Sequence, residues 1–463
     1  MRRAPLLMLL SVAGCFEVNL RFIGDPPPPP PAADPDTGTA QIEPTTVDPA
    51  EPSGVQQDYE LPLAESMDAC ATSSSSFELE LAWEWTSWAD DPRVRHVRTT
   101  PQLGDIDGDG ALDVVFIAVA DDGADQSDVL FALDGRTGDQ ILAVPDVYGY
   151  ATRFAVVDLD GDDQDEIIVT SKGNVVALDV QGTRWVHAPE RDCASHLLPG
   201  DFDDDGDVEL ATACGMLDGA TGTLLAEEPS CARTAFDADG DGTIELFCDQ
   251  TVHDNLGTVI AELERPSLGV IPRAGGGFLV KTEEGIDTYD VSLQRVGSTP
   301  TLLEPSLLAA CTADADADGH AEVFLPLEAD LTAWTLDGPH RWSTHRPPVE
   351  GSSGARTCVA VDLDADGCTE VIWPQNGAPH IHDATTGAPR GTLDLGEANT
   401  TRLQPLPIHD LDGDGSLDIV INGSALGEPD THWTGIRVVR EAHGAWVGEA
   451  PPLLLTGARS GQD

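Results

Sequence analysis

Seven stretches of the chain place carboxylates at positions 1, 3, 5 and 9 of a nine-residue segment. The first is Asp105-Ile-Asp107-Gly-Asp109-Gly-Ala-Leu-Asp113. The second carries Asp158, Asp160, Asp162 and Glu166, the third Asp201, Asp203, Asp205 and Glu209, and the fourth Asp237, Asp239, Asp241 and Glu245. The fifth has Asp314, Asp316, Asp318 and Glu322, the sixth Asp362, Asp364, Asp366 and Glu370, and the seventh Asp410, Asp412, Asp414 and Asp418. Four carboxylates so close repel one another unless they are protonated or share a cation. A hard divalent ion such as calcium takes six to eight oxygens at roughly 2.3–2.6 Å. Side chains two residues apart on a tightly curled loop converge on one point, and glycine at position 6 of most copies permits the left-handed backbone that the curl needs. Each copy is therefore expected to hold calcium, about seven ions in all.

The elements around these loops are strands. An EF-hand closes with Glu at position 12 between helices, whereas here the acid at position 9 opens a β-run, as in Val114-Val-Phe-Ile-Ala-Val119 and Ile167-Ile-Val-Thr170. The residues before the loops are strand-like too, as in Arg153-Phe-Ala-Val-Val157, so each motif reads as the turn of a β-hairpin. Loops begin at 105, 158, 201, 237, 314, 362 and 410, and most of the steps suit four short strands with their turns, the period of a propeller blade. The long step from 237 to 314 leaves room for a further blade without an acid loop, at Gly269–Pro272, Gly277–Val280, Ile286–Tyr289 and Gln294–Val296. The reading is an all-β propeller of eight blades, with seven as the alternative. Similar turns recur at Leu133–Gly138, Leu217–Gly222 and His382–Gly387. A Trp stands early in each expected outer strand Gly182-Thr-Arg-Trp185 and Gly338-Pro-His-Arg-Trp342. Leu81-Ala-Trp83-Glu-Trp85 resembles those strands and is expected to pair with the last blade, closing the ring and removing exposed sheet edges.

The loops, Asp105–Asp113 and its six copies, resemble the FG-GAP/VCBS repeats of integrin-α-like propellers over roughly residues 77–450. That resemblance implies a propeller with structural calcium and, commonly, a role in adhesion or extracellular recognition. Glu at position 9 in five copies and the blade without a loop depart from the pattern. Such a fold hosts many functions, so the ligand is not implied.

The chain begins with basic Met1-Arg2-Arg3 and a short apolar stretch, Ala4–Ala13, which reads as a secretory signal. It ends in Val12-Ala13-Gly14-Cys15, which resembles a bacterial lipobox; the resemblance implies cleavage after residue 14 and a lipid on Cys15. Phe16, where a retention signal would have Asp, implies transport to the outer membrane or cell surface. Residues 15–75, with the proline run Pro26–Pro31, form a polar tether unable to bury a core. The expected organisation is signal 1–14, tether 15–75, propeller 76–450 and tail 451–463.

Nine cysteines less Cys15 leave an even number in an exported chain. Opposed residues in a hairpin have a constant index sum. For Cys193 with Cys214, and for Cys231 with Cys248, that sum exceeds twice the loop start, 201 or 237, by the same margin. Both pairs are expected as disulfides; Cys70, Cys311, Cys358 and Cys368 keep three connectivities open.

With 82 Asp and Glu against 24 Lys and Arg, the formal charge of −58 argues against nucleic acid or an anionic membrane surface as partner. The histidines show no metal-ligand spacing; His380 and His382 share a strand face without a third ligand. No nucleophile elbow, phosphate loop or dinucleotide fingerprint occurs. The expectation is a monomeric, lipid-anchored, non-enzymatic module that binds a protein or glycan. The alternative is a carbohydrate-active or other hydrolytic or lyase enzyme using the axial funnel.

Overall fold

The computed structural model describes residues 79–441 apart from 121–127, 148–152, 190–195, 228–230, 273–276, 301–310, 317–321, 327–329, 336–339, 346–357, 364–367, 376–377, 393–406, 415–416, 424–433 and single residues 98, 204, 233, 256, 268 and 283. The signal, the tether, the tail and Cys15, Cys70 and Cys193 lie outside the described residues, as do the loop acids Asp318, Asp364 and Asp366.

Hydrophobic runs at the closing acids make the most buried strands of the fold. Asp113–Ala120 and Glu322–Pro326 are buried at every position. An antiparallel strand with no polar alternation must be covered on both faces, and sheets stacked side by side around a ring provide that cover. The described strands form eight antiparallel sheets, seven with four strands and one with five. Eight blades are therefore present, and the seven-blade alternative is set aside. Blade 5 holds the loop-less unit, as Gly269–Pro272, Phe278–Lys281, Gly285–Tyr289 and Arg295–Pro300. In blade 1 the inner edge is split, with Val94–Val97 and Gln102–Gly104 pairing successive parts of Asp113–Ala120.

Leu79–Trp85 pairs antiparallel with Gly435–Glu441, so the start of the domain supplies the outer strand of blade 8. The core is a circle of interfaces between blades. Val114, Phe116 and Phe131 of blade 1 pack with Trp83, Val420 and Val438 of blade 8, while Val115 and Ile117 face Phe154 and Val169 of blade 2. Neighbouring residues of one strand thus serve opposite interfaces, as the two-residue strand period requires.

The repeated turns and the early tryptophans are two halves of one latch. Indole Nε1 of Trp83 donates to Gly135 O at 2.8 Å, that of Trp185 to Gly219 O at 2.9 Å, and that of Trp342 to Ala384 O at 2.9 Å. Each joins an outer strand to the turn of the next blade. Gly222 has φ +69°, and a Cβ there would come within 2.4 Å of the Trp185 ring. We expect Gly222→Ala to cost roughly 2–4 kcal/mol, the left-handed backbone and the ring collision together. Gly240→Ala, with φ +81° and open space around it, is expected to cost only about 1–2 kcal/mol. Chemical denaturation of the two variants checks this, and equal losses would remove the latch from the account.

Two disulfides are described in full. Cys231–Cys248, with Cα atoms 5.3 Å apart, is formed as expected just beyond the Thr234–Phe247 pair of blade 4, although the ladder runs two residues off the index sum of the cysteines, so they are not directly opposed in it. Cys311–Cys358, with Cα atoms 5.6 Å apart, joins the inner strands of blades 6 and 7 and selects one of the three open connectivities. Cys214 and Cys368 are disulfide-bonded as well; Cys193, the expected partner of Cys214, falls outside the described residues.

Candidate functional site

Each acid loop joins the first and second strands of a blade, and in an up-and-down sheet that connection lies at the same end as the third-to-fourth turn. The acidic loops and the tryptophan latches therefore share one face of the disc.

The acid at position 9 has one arrangement in all seven copies. Its side chain is buried, and one carboxylate oxygen accepts the backbone N–H of position 2. The distances are 2.9 Å for Ile106 to Asp113, 2.8 Å for Leu159 to Glu166, 2.8 Å for Phe202 to Glu209 and 2.7 Å for Ala238 to Glu245. They are 3.0 Å for Ala315 to Glu322, Leu363 to Glu370 and Leu411 to Asp418. This bond fixes the closing acid from the strand side of the loop.

Position 1 shapes the curl. Asp105 accepts from the N–H groups of Gly108, Asp109 and Gly110 at 2.8–3.0 Å, and Asp158 from those of Gly161, Asp162 and Asp163 at 2.7–3.2 Å. The loop 2 position that lacks glycine, Asp163, has φ 72°. Position 5 turns back on its own chain: Asp109 accepts from Ala111 N at 2.9 Å, Asp162 from Gln164 N at 2.9 Å and Asp241 from Thr243 N at 2.8 Å.

The acids that meet are those at positions 1, 3 and 9. In Asp105/Asp107/Asp113, Asp158/Asp160/Glu166, Asp201/Asp203/Glu209 and Asp237/Asp239/Glu245, one oxygen from each residue lies within 4.8 Å of the others. The expected fourth member, position 5, does not join these groups. Oxygens around a single calcium are separated by at most about 5 Å, twice the bond length, so these triads fit one hard cation. The donors are all oxygen, which suits calcium better than a softer metal. Cys231, Cys248 and His253 also cluster, but the two sulfurs are bonded to each other and offer no thiolate.

Burial acts on the closing acids in the direction expected of a site that wants a cation. It pushes Asp113, Glu166, Glu209 and Glu245 up to about 7 and Asp418 up to about 6. Around Asp113, Glu209 and Glu245 every charge that adds to the shift is another acid, such as Asp107, Asp203 or Asp239. Near Glu166 and Asp418, Arg184 and Arg440 work against it.

Neighbouring loops also grip each other. Asp165 Oδ2 accepts from Asp105 N, and Asp165 N donates to Asp105 O, each at 2.8 Å. Burial is the main reason Asp165 is raised to about 6.

His380 and His382 are structural. Both are buried, with Nδ1 of His380 2.9 Å from Thr392 Oγ1 and Nδ1 of His382 3.2 Å from Gly387 O. Arginines beside the loop acids were not legible as site residues, although Arg184-Trp185 and Arg341-Trp342 repeat a dipeptide that could have drawn notice.

No protein-family model matches the chain, and no curated protein matches it. Solved structures do. The chain is similar to the V. cholerae biofilm matrix protein Bap1, with a TM-score of 0.58 and 15% identity over 80% of this chain and 92% of that one. It is also similar to the quinohemoprotein alcohol dehydrogenase of Comamonas testosteroni, with a TM-score of 0.49 and 14% identity over 82% and 78%. The Bacillus licheniformis rhamnogalacturonan lyase PL11 gives a TM-score of 0.41 and 14% identity over 78% and 75%. At 15% identity the likeness to Bap1 extends to the fold and not to the chemistry. The chain is an all-β, eight-bladed propeller with its acidic loops on one face.

Proposed function

We propose that this is an exported envelope lipoprotein of FG-GAP/VCBS type whose propeller is stiffened by calcium and acts as a non-enzymatic binding module for a protein or glycan. The observation that carries the reading is the convergence of acids 1, 3 and 9 within 4.8 Å in one loop after another. A residue committed to a cation is a poor general acid or base, so the most obvious carboxylate clusters serve rigidity better than turnover. Cys15 would carry the lipid, and residues 15–75 would hold the disc away from the membrane.

The experiment is direct calcium binding to the purified chain by titration calorimetry, followed by a glycan and protein array probed in calcium and in chelator. Sites of this class outside cells work at about 10⁻⁴ to 10⁻³ M calcium. Saturable binding in that range, unmatched by magnesium, together with array capture that chelator abolishes, is the expected result. Absence of calcium binding would defeat the reading. Turnover of a polysaccharide on the array would replace the binding module with an enzyme.

A further inference from the structure

Each outer strand is interrupted by a β-bulge at one register, where an extra residue has no partner across the ladder. That residue is Arg184 in blade 2, Arg341 in blade 6 and Arg390 in blade 7, but Ile141 in blade 1, Leu225 in blade 3 and Ile260 in blade 4. Bulges re-aim side chains, and in blades 2 and 6 this one sends a guanidinium into the acid loop. Arg184 bonds both Asp160 and Glu166, the acids at positions 3 and 9. Arg341 bonds Asp316 and lies 3.2 Å from Glu322, again positions 3 and 9. Blade 8 reaches the same end from another strand: Arg440, opposite Asp418 in the ladder, bonds Asp412 and lies 3.1 Å from Asp418.

We propose that the acid loops form two classes, in which Arg184, Arg341 and Arg440 permanently take the cation's place in blades 2, 6 and 8 while calcium loads the open triads of blades 1, 3 and 4. The inference rests on the calcium reading above and refines its expected seven ions. A guanidinium is charged at any physiological pH and spans two carboxylates with its rigid fork. Calcium between acids 3 and 9 would have to displace that fork, leaving two oxygens short of its shell, or accept a neighbouring positive charge. In blades 3 and 4, by contrast, no arginine is paired with the loop acids among the described residues. In blade 1, Arg136 pairs with Asp109 and Asp134 and leaves acids 1, 3 and 9. In blade 5, which lacks the loop, Arg265 and Arg295 flank the buried Asp287 of the third strand at 3.5 and 3.4 Å. Arg390 is bonded to Asp383 at 2.7 Å with both side chains buried, and Asp383 lies opposite the closing acid Glu370.

Calcium stoichiometry of the full chain by equilibrium dialysis tests the division. The wild-type chain is expected to hold four ions or fewer, and Arg184→Gln to hold one more. Leu225→Arg, at an exposed position of the blade 3 bulge, is expected to hold one fewer while keeping the wild-type Tm in chelator within a few degrees. It remains informative should Arg184→Gln fail to fold. Seven ions in the wild type, or an unchanged count in both variants, would overturn the proposal while leaving calcium binding intact. A chain that binds no calcium at all would instead remove the reading on which the proposal stands.

Discussion

Chelating calcium from the folded chain is expected to lower its Tm by on the order of 5–10 °C, with recovery on adding calcium and not on adding magnesium. An ion that binds only the folded state stabilises it by about 1.4 kcal/mol per site at ten times Kd. Three open cages then contribute about 4 kcal/mol, and a domain of this size moves roughly 2 °C for each kcal/mol. A bound ion would also cancel repulsion among acids drawn together by backbone hydrogen bonds, as Glu209 is by Phe202 N. Magnesium should fail because it demands a small octahedral shell and gives up water reluctantly. The measurement is a thermal scan in calcium, in chelator and in chelator with excess magnesium. Superimposed curves would mean that the loops are ordinary solvated turns held by their own hydrogen bonds.

The same cages set the sign of the pH dependence. Burial raises the closing acids of the open cages, Asp113, Glu209 and Glu245, to about 7 in the folded state, well above the ordinary carboxylate range. The neighbouring acids Asp105, Asp107 and Asp134 push Asp113 further in the same direction. The ion-free folded state therefore holds protons that the unfolded chain has already released. Its stability should be greatest near pH 4 and fall as the pH rises through about 7. Calcium competes with those protons, so the gain from calcium should be large at pH 8 and small at pH 5. Scans at both pH values with and without calcium check this; a calcium gain independent of pH would place the ion away from the closing acids.

The blade count was legible because each acid loop marks a fixed point of one blade, and the gap between 237 and 314 had room for four strands without a loop; only the eight sheets of the fold set aside seven blades with a long insertion. The ring closure was legible because Trp83 repeats the position of Trp185 and Trp342, and all three bond the next blade. The Cys231–Cys248 bond showed in the sequence because both cysteines flank one hairpin, although its ladder runs two residues off their index sum. Cys311–Cys358 did not, since it crosses between two blades and no single ladder relates its index numbers. The inner chemistry of the loops was legible only in part. Spacing groups positions 1, 3, 5 and 9, yet Asp109 and Asp162 spend an oxygen on the N–H two residues ahead. The arginines were hidden for a different reason. In unbroken alternation Arg184 would be placed by its ladder partner, and a bulge, which adds one residue without altering composition, decides that it points at Asp160 and Glu166.

Replacing Trp83 by alanine is expected to destabilise the propeller by about 3–5 kcal/mol, the cost of emptying a large aromatic site in a packed interior. Trp83 is 8% exposed, packs among residues of blades 8 and 1, and donates to Gly135. Leu81→Ala, two residues away on the same strand but 37% exposed, should cost less than about 1 kcal/mol. Denaturant unfolding of the two variants separates a load on this tryptophan from a general sensitivity of the strand. Removing residues 79–85 altogether should do more than either. It would strip Glu84, 3.2 Å from the guanidinium of Arg437, from a side chain only 3% exposed, taking a counter-charge away from a buried cation. It would also lay bare the backbone edge of Gly435–Glu441, which now bonds Leu79–Trp85 along its length. An open edge recruits other chains, so the truncated protein should elute as larger assemblies than the longer chain forms under the same conditions. A truncated protein that elutes as the longer chain does and unfolds at the same denaturant concentration would show that the disc holds its shape without the closing strand. The interfaces between blades would then have to account for its stability alone.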